Sequence, residues 1–285
     1  SRRQRQMCIR DSGNVAGIGE ALEKYKTVLP TYRGHNEQGM AHAALAYTKE
    51  MQRRRFMAVT SSIGPGATNL VTAAALAHVN RLPILLLPGD VFADRRPDPV
   101  LQQIEDFEDG TVSANDCFRP VSRYFDRITR PEQLLNALPK AMSILTDPAM
   151  TGPVTLAFCQ DVQAEAYNYP VSFFEPTYWN VRRIQPDRRE IERLASTLEK
   201  SKKPVLIAGG GVKYSNAQDE LKEFLDITKV PLVVTQAGKS VLVEKDEQNL
   251  GSIGVTGSSS ANAIISDADF IISVGSRLQD FTTGS

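Results

Sequence analysis

The sequence predicts an α/β protein with two doubly wound parallel-sheet domains, and three observations carry this prediction. Short runs of almost purely apolar residues recur along the chain, and segments with helical periodicity separate them. The apolar runs lie within 56–60, 83–87, 153–158, 203–212, 231–235 and 270–275, and the stretch 203–212 ends in a glycine turn. They are too apolar for one solvated face, which is typical of parallel strands covered by helices on both sides. A stretch without period, rich in proline and aromatic residues, divides the runs into two groups.

These patterns divide the 285 residues into four segments. Residues 1–11 are basic and polar without strand or helix periodicity, and we predict them to be a non-native extension. Residues 12–168 form the first domain, 169–186 a linker, and 187–285 a second, incomplete domain. The strand expected before the turn at Gly13 is predicted to be missing, which would leave an unpaired sheet edge.

Composition excludes several classes of partner. Lysine plus arginine number 33, as do aspartate plus glutamate, so the formal net charge is zero and favours neither nucleic acid nor an anionic membrane surface. No apolar run approaches the ~20 residues of a membrane helix. The three cysteines lack metal-ligand spacing, so we predict a reduced, cytoplasmic setting.

The first chemical signal is Glu37, at the predicted start of an Ala-rich helix. Asn36 is a cap residue, and an anionic side chain at Glu37 favours the helix dipole. The neighbours on the same helical face are mostly small: Met40, Ala41 and Ala44. Burial against such a surface is predicted to raise the pKa of the Glu37 carboxyl, which suits proton exchange near neutrality. The alternative is a solvated acid that only complements the dipole.

A second signal follows the apolar run 56–60. The chain there reads Ser62-Ile63-Gly64-Pro65-Gly66-Ala67-Thr68-Asn69, and helical periodicity resumes after it. Glycine and proline together mark a tight turn. The pattern therefore predicts a strand, a tight turn and a helix.

The two signals together resemble the pyrimidine-binding domain of thiamine-diphosphate enzymes, the acetohydroxyacid synthase superfamily in particular. The first motif is Glu37-Gln38-Gly39 with His42-Ala43-Ala44 and Tyr47, and the second is the stretch 62–69. Two motifs in the right order make the match specific, and it extends over residues 12–285. The second domain is then expected to be the family's central, Rossmann-like domain.

The resemblance implies the cofactors thiamine diphosphate and magnesium, with Glu37 as the catalytic residue. In this superfamily the glutamate in that place hydrogen-bonds a nitrogen of the cofactor's aminopyrimidine, and the cofactor then supplies a carbon nucleophile. The turn at the cofactor is expected to be shaped by Ser62, Gly64, Gly66 and Asn69. The family's pyrimidine domain faces the diphosphate domain of another subunit, so a dimer or tetramer is implied.

The family's glycine-aspartate-glycine motif, which holds the diphosphate through magnesium, does not occur in this sequence. Magnesium ligands are therefore expected in a third domain outside this chain, and no metal ligand is predicted here. The chain is interpreted as an N-terminal fragment that carries half a cofactor site.

The long irregular stretch 88–124 is expected to be functional. The resemblance is more specific to the family's hydrolases of inositol catabolism in three stretches of sequence, 97–103, 120–124 and 130–134. This implies hydrolysis of a carbon–carbon bond in a cyclic, polyol-derived diketone, with Gln102 or Gln103 near the substrate. A synthase-like carboligase that carries flavin and a noncatalytic domain pair remain alternatives.

The glycine run 209–211 in the second domain lacks the six-residue glycine spacing of a dinucleotide-binding motif. It also lacks a following strand that ends in an acidic residue. We interpret this domain as structural.

Overall fold

The computed structural model describes residues 7–9 and 13–284, which form two compact units divided between Arg182 and Arg183. The first unit has a six-stranded, all-parallel sheet in the order β2-β1-β3-β4-β6-β5. Its strands are β1 (Met7–Ile9), β2 (Thr31–Arg33), β3 (Ala58–Ser61), β4 (Ile84–Asp90), β5 (Tyr124–Ile128) and β6 (Pro153–Cys159). The second unit has a four-stranded sheet in the order β10-β7-β8-β9, also parallel. Its strands are β7 (Pro204–Ala208), β8 (Leu232–Val234), β9 (Asn249–Ser252) and β10 (Phe270–Val274).

Helices connect the strands in both units. The first unit contains α1 (Ala16–Lys24), α2 (Glu37–Glu50), α3 (Pro65–Thr68), α4 (Val71–Asn80) and α5 (Leu134–Leu145). The second contains α6 (Arg188–Lys200), α7 (Gly210–Ser215), α8 (Gln218–Thr228), α9 (Ser259–Ser266) and α10 (Asp280–Thr283). Short 3-10 helices lie at Gly13–Val15, Ala114–Phe118, Pro131–Gln133, Val162–Ala164 and Val171–Phe174. None of the helices in the described ranges is long and apolar enough to cross a bilayer.

The two central strands of the second sheet, β7 and β8, are buried on both faces. Leu206 and Leu232 belong to one apolar cluster, whereas Val205 and Val233 belong to another. Because successive side chains of a strand point to opposite faces, the two clusters lie on the two sides of the sheet. This is the packing of a doubly wound sheet, and the fold class predicted from the sequence is confirmed.

The prediction of a missing first strand was wrong. β1 lies between two neighbours, with Met7 in register with Thr31 on β2 and with Ala58 on β3. Met7 is buried and packs against Leu22 of α1. Three residues are too few to show a period, and arginines flank them in the sequence. Residues 1–6 and 10–11 of the proposed extension lie outside the described part of the chain.

The predicted linker 169–186 contains one locally packed element. Tyr169 stacks on Phe173 with ring centroids 5.3 Å apart, and its hydroxyl donates to the carbonyl of Pro131 at 2.7 Å. The stretch up to Phe174 is therefore held against the start of the segment that leads into α5.

Candidate functional site

Glu37 is the first residue of α2 and is only 5% exposed. The helix starts there because Asn36 is extended and its side chain accepts a hydrogen bond from the N–H of Gly39 at 2.8 Å. The carboxylate therefore lies at the positive end of the helix dipole, out of contact with bulk water. The predicted cap and helix start are confirmed.

The stretch 62–69 forms the turn that the sequence predicts. β3 ends at Ser61, and Gly64 has φ of +64°, a backbone conformation that favours glycine. Pro65 opens the short helix α3, where its fixed φ suits the first helical position. The turn is thus set by its own residue types.

The structure brings the turn and Glu37 together. The side-chain amide of Asn69 donates a hydrogen bond to Oε2 of Glu37 at 2.9 Å. A methyl group placed on Gly66 would lie 2.2 Å from Oγ of Ser62 and 3.4 Å from Oε1 of Glu37. Glu37, Ser62, Gly66 and Asn69 therefore form one cluster, which we call the glutamate cluster. Its wall at Gly66 carries no side chain.

Gly64 lies at the border between this cluster and the loop 91–113. A methyl group on Gly64 would lie 1.9 Å from the carbonyl oxygen of Gln102, so the loop backbone touches the turn. The Gln102 side chain is exposed. Gln103 instead folds into its own loop, since its amide donates to Asp98 at 2.7 Å and accepts from the N–H of Val100 at 2.9 Å. The structure thus places the two predicted substrate residues beside the cluster without joining either side chain to it.

A buried ionic group that the sequence analysis did not identify lies at the carboxyl end of β4. Asp90 is fully buried, and its Oδ2 accepts a hydrogen bond from Nε of Arg127 at 2.8 Å. Arg127 also binds Oδ1 of Asp116 through Nη2 at 3.1 Å. Burial lowers the pKa of Arg127, but the carboxylates of Asp90 and Asp116 more than offset it, so the pKa is raised. Only the strand register reveals this group, because its members are far apart in sequence.

In the second unit, the glycine run follows β7 and is closely packed. A methyl group on Gly209 would lie 2.3 Å from the carbonyl oxygen of Gly275, and one on Gly211 would lie 2.5 Å from its Cα. The N–H of Gly211 donates to that same carbonyl at 2.9 Å. These glycines therefore allow two backbone segments to touch.

Both units match family models of thiamine pyrophosphate enzyme domains. A family model described as the thiamine pyrophosphate enzyme N-terminal TPP binding domain matches residues 5–109. The model described as the central domain of the same enzymes matches residues 191–285. The chain belongs to the thiamine pyrophosphate enzymes, as its motifs predicted.

Within this family, the chain is similar to proteins named 3D-(3,5/4)-trihydroxycyclohexane-1,2-dione hydrolase. Over 273 residues it is 51% identical to hydrolase 2 of that name from Bacillus cereus. It is 52% identical to the hydrolase from Clostridium tetani and 51% identical to that from Bacillus subtilis. Each match covers 96% of this chain and 42–43% of the relative. The chain thus spans about two fifths of the length of these curated relatives.

Proposed function

We propose that this chain provides the pyrimidine-binding part of a thiamine diphosphate-dependent hydrolase. The substrate is 3D-(3,5/4)-trihydroxycyclohexane-1,2-dione, whose ring is opened by hydrolysis of the carbon–carbon bond between its carbonyls to give a 5-deoxy sugar acid in myo-inositol degradation. The observation that carries the proposal is the buried Glu37–Asn69 pair beside Gly66, a residue without a side chain. Identity of 50% or more over 96% of the chain supports the choice of substrate.

The residues present fit the aminopyrimidine of thiamine diphosphate. A flat ring needs a wall without a side chain, and Gly66 provides one directly beside Glu37. A carboxylate that shares a proton with a ring nitrogen needs a dry position, and Glu37 is 5% exposed. We propose that residues 12–168 form this pyrimidine-binding domain and that residues 187–285 form the central domain after a linker at 169–186.

The protein's part of the reaction is to position groups and to control one proton. The cofactor supplies the carbon nucleophile and the electron sink. Glu37 holds and releases a proton at its carboxylate, and Asn69 fixes the orientation of that carboxylate by its hydrogen bond. Ser62, Gly64 and Gly66 shape the surface against which the ring lies. The loop that carries Gln102 and Gln103 borders the site and contacts the diketone.

The wider setting of the enzyme is also a proposal. As in the family, magnesium binds the diphosphate through residues outside this chain. The exposed positions in the middle of α2 and along α4 are uncharged: Gly39, Ala43, Ala46, Thr72, Leu76 and Val79. Because α2 and α4 pack side by side, they offer a surface for self-association as a dimer or tetramer. Neither nucleic acid nor a membrane is a partner, and the location is the cytoplasm.

The test uses a chimera in which this chain replaces the matching 273-residue region of the Bacillus subtilis relative. Ring opening of the dione is measured with and without thiamine diphosphate and magnesium. Hydrolysis that depends on the cofactor supports the proposal. Cofactor binding without hydrolysis would remove the substrate assignment and favour a synthase-like carboligase, which flavin bound to the central domain would indicate.

A further inference from the structure

The loop 91–113 begins and ends at one buried carboxylate. Asp90 lies just before the loop, and its Oδ1 accepts hydrogen bonds from the N–H of Val91 at 2.9 Å and from the hydroxyl of Ser113 at 2.6 Å. Asp90 and Ser113 are both buried. The two ends of a loop more than twenty residues long are therefore tied to one side chain.

Arg127 reaches this carboxylate from two strands away. It lies on β5 in register with Ala157 of β6, and Asp90 on β4 is in register with Cys159 of β6. Residues in register share a face of the sheet, so the guanidinium crosses over β6 at a small residue. Burial, followed by the carboxylates of Asp90 and Asp161, raises the pKa of the Cys159 thiol to about 12, so the thiol stays neutral beside this group.

A second nitrogen of the Arg127 guanidinium binds the segment after the loop. Its Nη2 binds Asp116, whose other oxygen accepts the N–H of Ser113 at 3.0 Å in a capping box. Burial raises the pKa of Asp116. The Ser113 N–H, Arg119 and Arg127 lower this pKa by a larger amount, so the net shift is downward. One planar guanidinium thus joins two carboxylates, a geometry that lysine cannot reproduce.

This ionic group is connected to the glutamate cluster by packing. The 3-10 helix Ala114–Phe118 packs against α3, the helix that follows Gly64. Its residue Asn115 donates to the carbonyl of Gly89 at 2.9 Å. The middle of the loop is held by Asn14, which donates to the carbonyl of Leu101 at 3.3 Å, and by the Gln102 carbonyl against Gly64.

We propose that Arg127 is a positioning residue that, through Asp90 and Asp116, fixes the loop 91–113 over the glutamate cluster and so sets substrate affinity. The inference rests on the proposed function, because the substrate is the diketone named there. Arg127 touches neither substrate nor cofactor in this role. Its effect reaches the site through the backbone of the loop.

The experiment compares variants in the chimera by steady-state kinetics and by hydrogen exchange of peptides from 91–113. Asp116→Asn keeps the buried Asp90–Arg127 pair, so the variant folds while the bond to the end of the loop is weakened. We expect exchange in 91–113 to be ~10-fold faster and KM for the dione to be ~10-fold higher, with kcat within about threefold. Mere destabilisation would lower the active fraction, and therefore kcat, while KM stayed constant.

Arg119→Ala is the matched control. Arg119 also binds Oδ1 of Asp116 at 2.8 Å, but it is largely exposed and has no bond to Asp90. Exchange and KM should match wild type in this control. The double variant Arg127→Met, Asp90→Asn removes both the guanidinium and the buried carboxylate, so neither is left as an unpaired buried charge. It should reproduce the effect of Asp116→Asn.

The outcomes separate this inference from the proposed function. Wild-type exchange or wild-type KM in both Asp116→Asn and the double variant would overturn the positioning role, even if the chimera turns over the dione. If the wild-type chimera shows no cofactor-dependent turnover, the proposed function fails. The exchange of 91–113 still decides whether Arg127 holds the loop.

Discussion

Each domain contains a parallel strand that runs into a glycine-rich turn and a helix, but the two turns are filled differently. In the first domain, the three atoms nearest to a methyl group on Gly66 would all be side-chain atoms, those of Ser62 and Glu37. In the second domain, a methyl group on Gly209 would meet the backbone of Gly275, with the carbonyl oxygen at 2.3 Å. The first glycine allows the side chains of Ser62 and Glu37 to approach the turn, whereas the second allows two backbone segments to touch.

This difference shows that a glycine turn has no function by itself. The strand-turn-helix unit recurs because of its backbone geometry, and chemistry depends on the side chains that face the turn. Glu37 faces the first turn from another helix, at the end where an anion is favoured. Around Gly209, packed backbone occupies the corresponding space. The comparison therefore predicts that changes at the two turns will have different consequences.

The largest expected effect is at Glu37. Glu37→Gln in the chimera keeps the size of the side chain and removes its capacity to accept and release a proton. We expect kcat to fall ~100-fold or more, as is typical of losing a general acid-base group. Glu50→Gln, at the exposed C-terminal end of the same helix, is the control and should retain wild-type turnover. Unchanged turnover in Glu37→Gln would favour the noncatalytic domain pair.

The next largest effect is on stability, at the packed turn of the second domain. In Gly209→Ala the new methyl group has to displace the backbone of Gly275, which cannot rotate away. Overpacking of this kind costs about 1–3 kcal/mol in the free energy of unfolding. Urea denaturation with hydrogen exchange of peptides from 204–212 measures the loss. Cofactor affinity should stay at the wild-type value, and a selective fall in affinity would contradict the structural interpretation of this domain.

A smaller effect is expected at Gly66 in the turn of the first domain. In Gly66→Ala the methyl group approaches the hydroxyl of Ser62, which can rotate away, so the free energy of unfolding should change little. The methyl group would still occupy the wall beside Glu37. We therefore expect thiamine diphosphate to bind about 10-fold more weakly, a loss of about 1.4 kcal/mol. Calorimetric titration measures this.

Gly19→Ala is the control for this change, because a methyl group there meets no heavy atom within 4 Å. Wild-type affinity in Gly66→Ala would show that the ring does not lie against this glycine.

Much of the fold and of the glutamate cluster could be predicted because their signals are local. Asn36, Glu37 and the 62–69 turn each set the conformation of adjacent residues, and apolar runs mark strands buried on both faces. The hydrogen bond between Asn69 and Glu37, 32 residues apart, is seen in the tertiary structure and not in any local pattern.

The ionic group and the first strand could not be predicted for physical reasons. Asp90 and Arg127 are 37 residues apart and meet across β6, which lies between their strands. In the sequence, each is one charged residue among many. β1 has three residues, too few for periodicity, and is stabilised by partners on both sides. Such features depend on strand register, which a single sequence does not reveal.

The smallest expected effect is a pH dependence of hydrogen-exchange protection. It should differ between the segment 114–118 beside the first turn, which ion pairs hold, and the second turn, which backbone packing holds. The lowered pKa of Asp116 means that its contribution to stability is present above the unfolded value of about 3.9 and is lost as pH falls through the folded value. Asp116 bonds to Arg127 and Arg119, with Asp90 beside them. The contact between Gly209 and Gly275 involves only backbone atoms.

We therefore expect acid to loosen the segment 114–118, which packs against the first turn, before it loosens the second turn. Hydrogen exchange, corrected for the intrinsic effect of pH, should show protection of 114–118 falling as pH is lowered from about 5 towards about 3, while 209–212 stays protected. In Asp116→Asn the protection of 114–118 should be lower at the upper end of this range and should depend less on pH, because the titrating carboxylate is gone. Equal acid sensitivity in the two segments would mean that 114–118 does not depend on its ion pairs, which would also weaken the positioning role of Arg127.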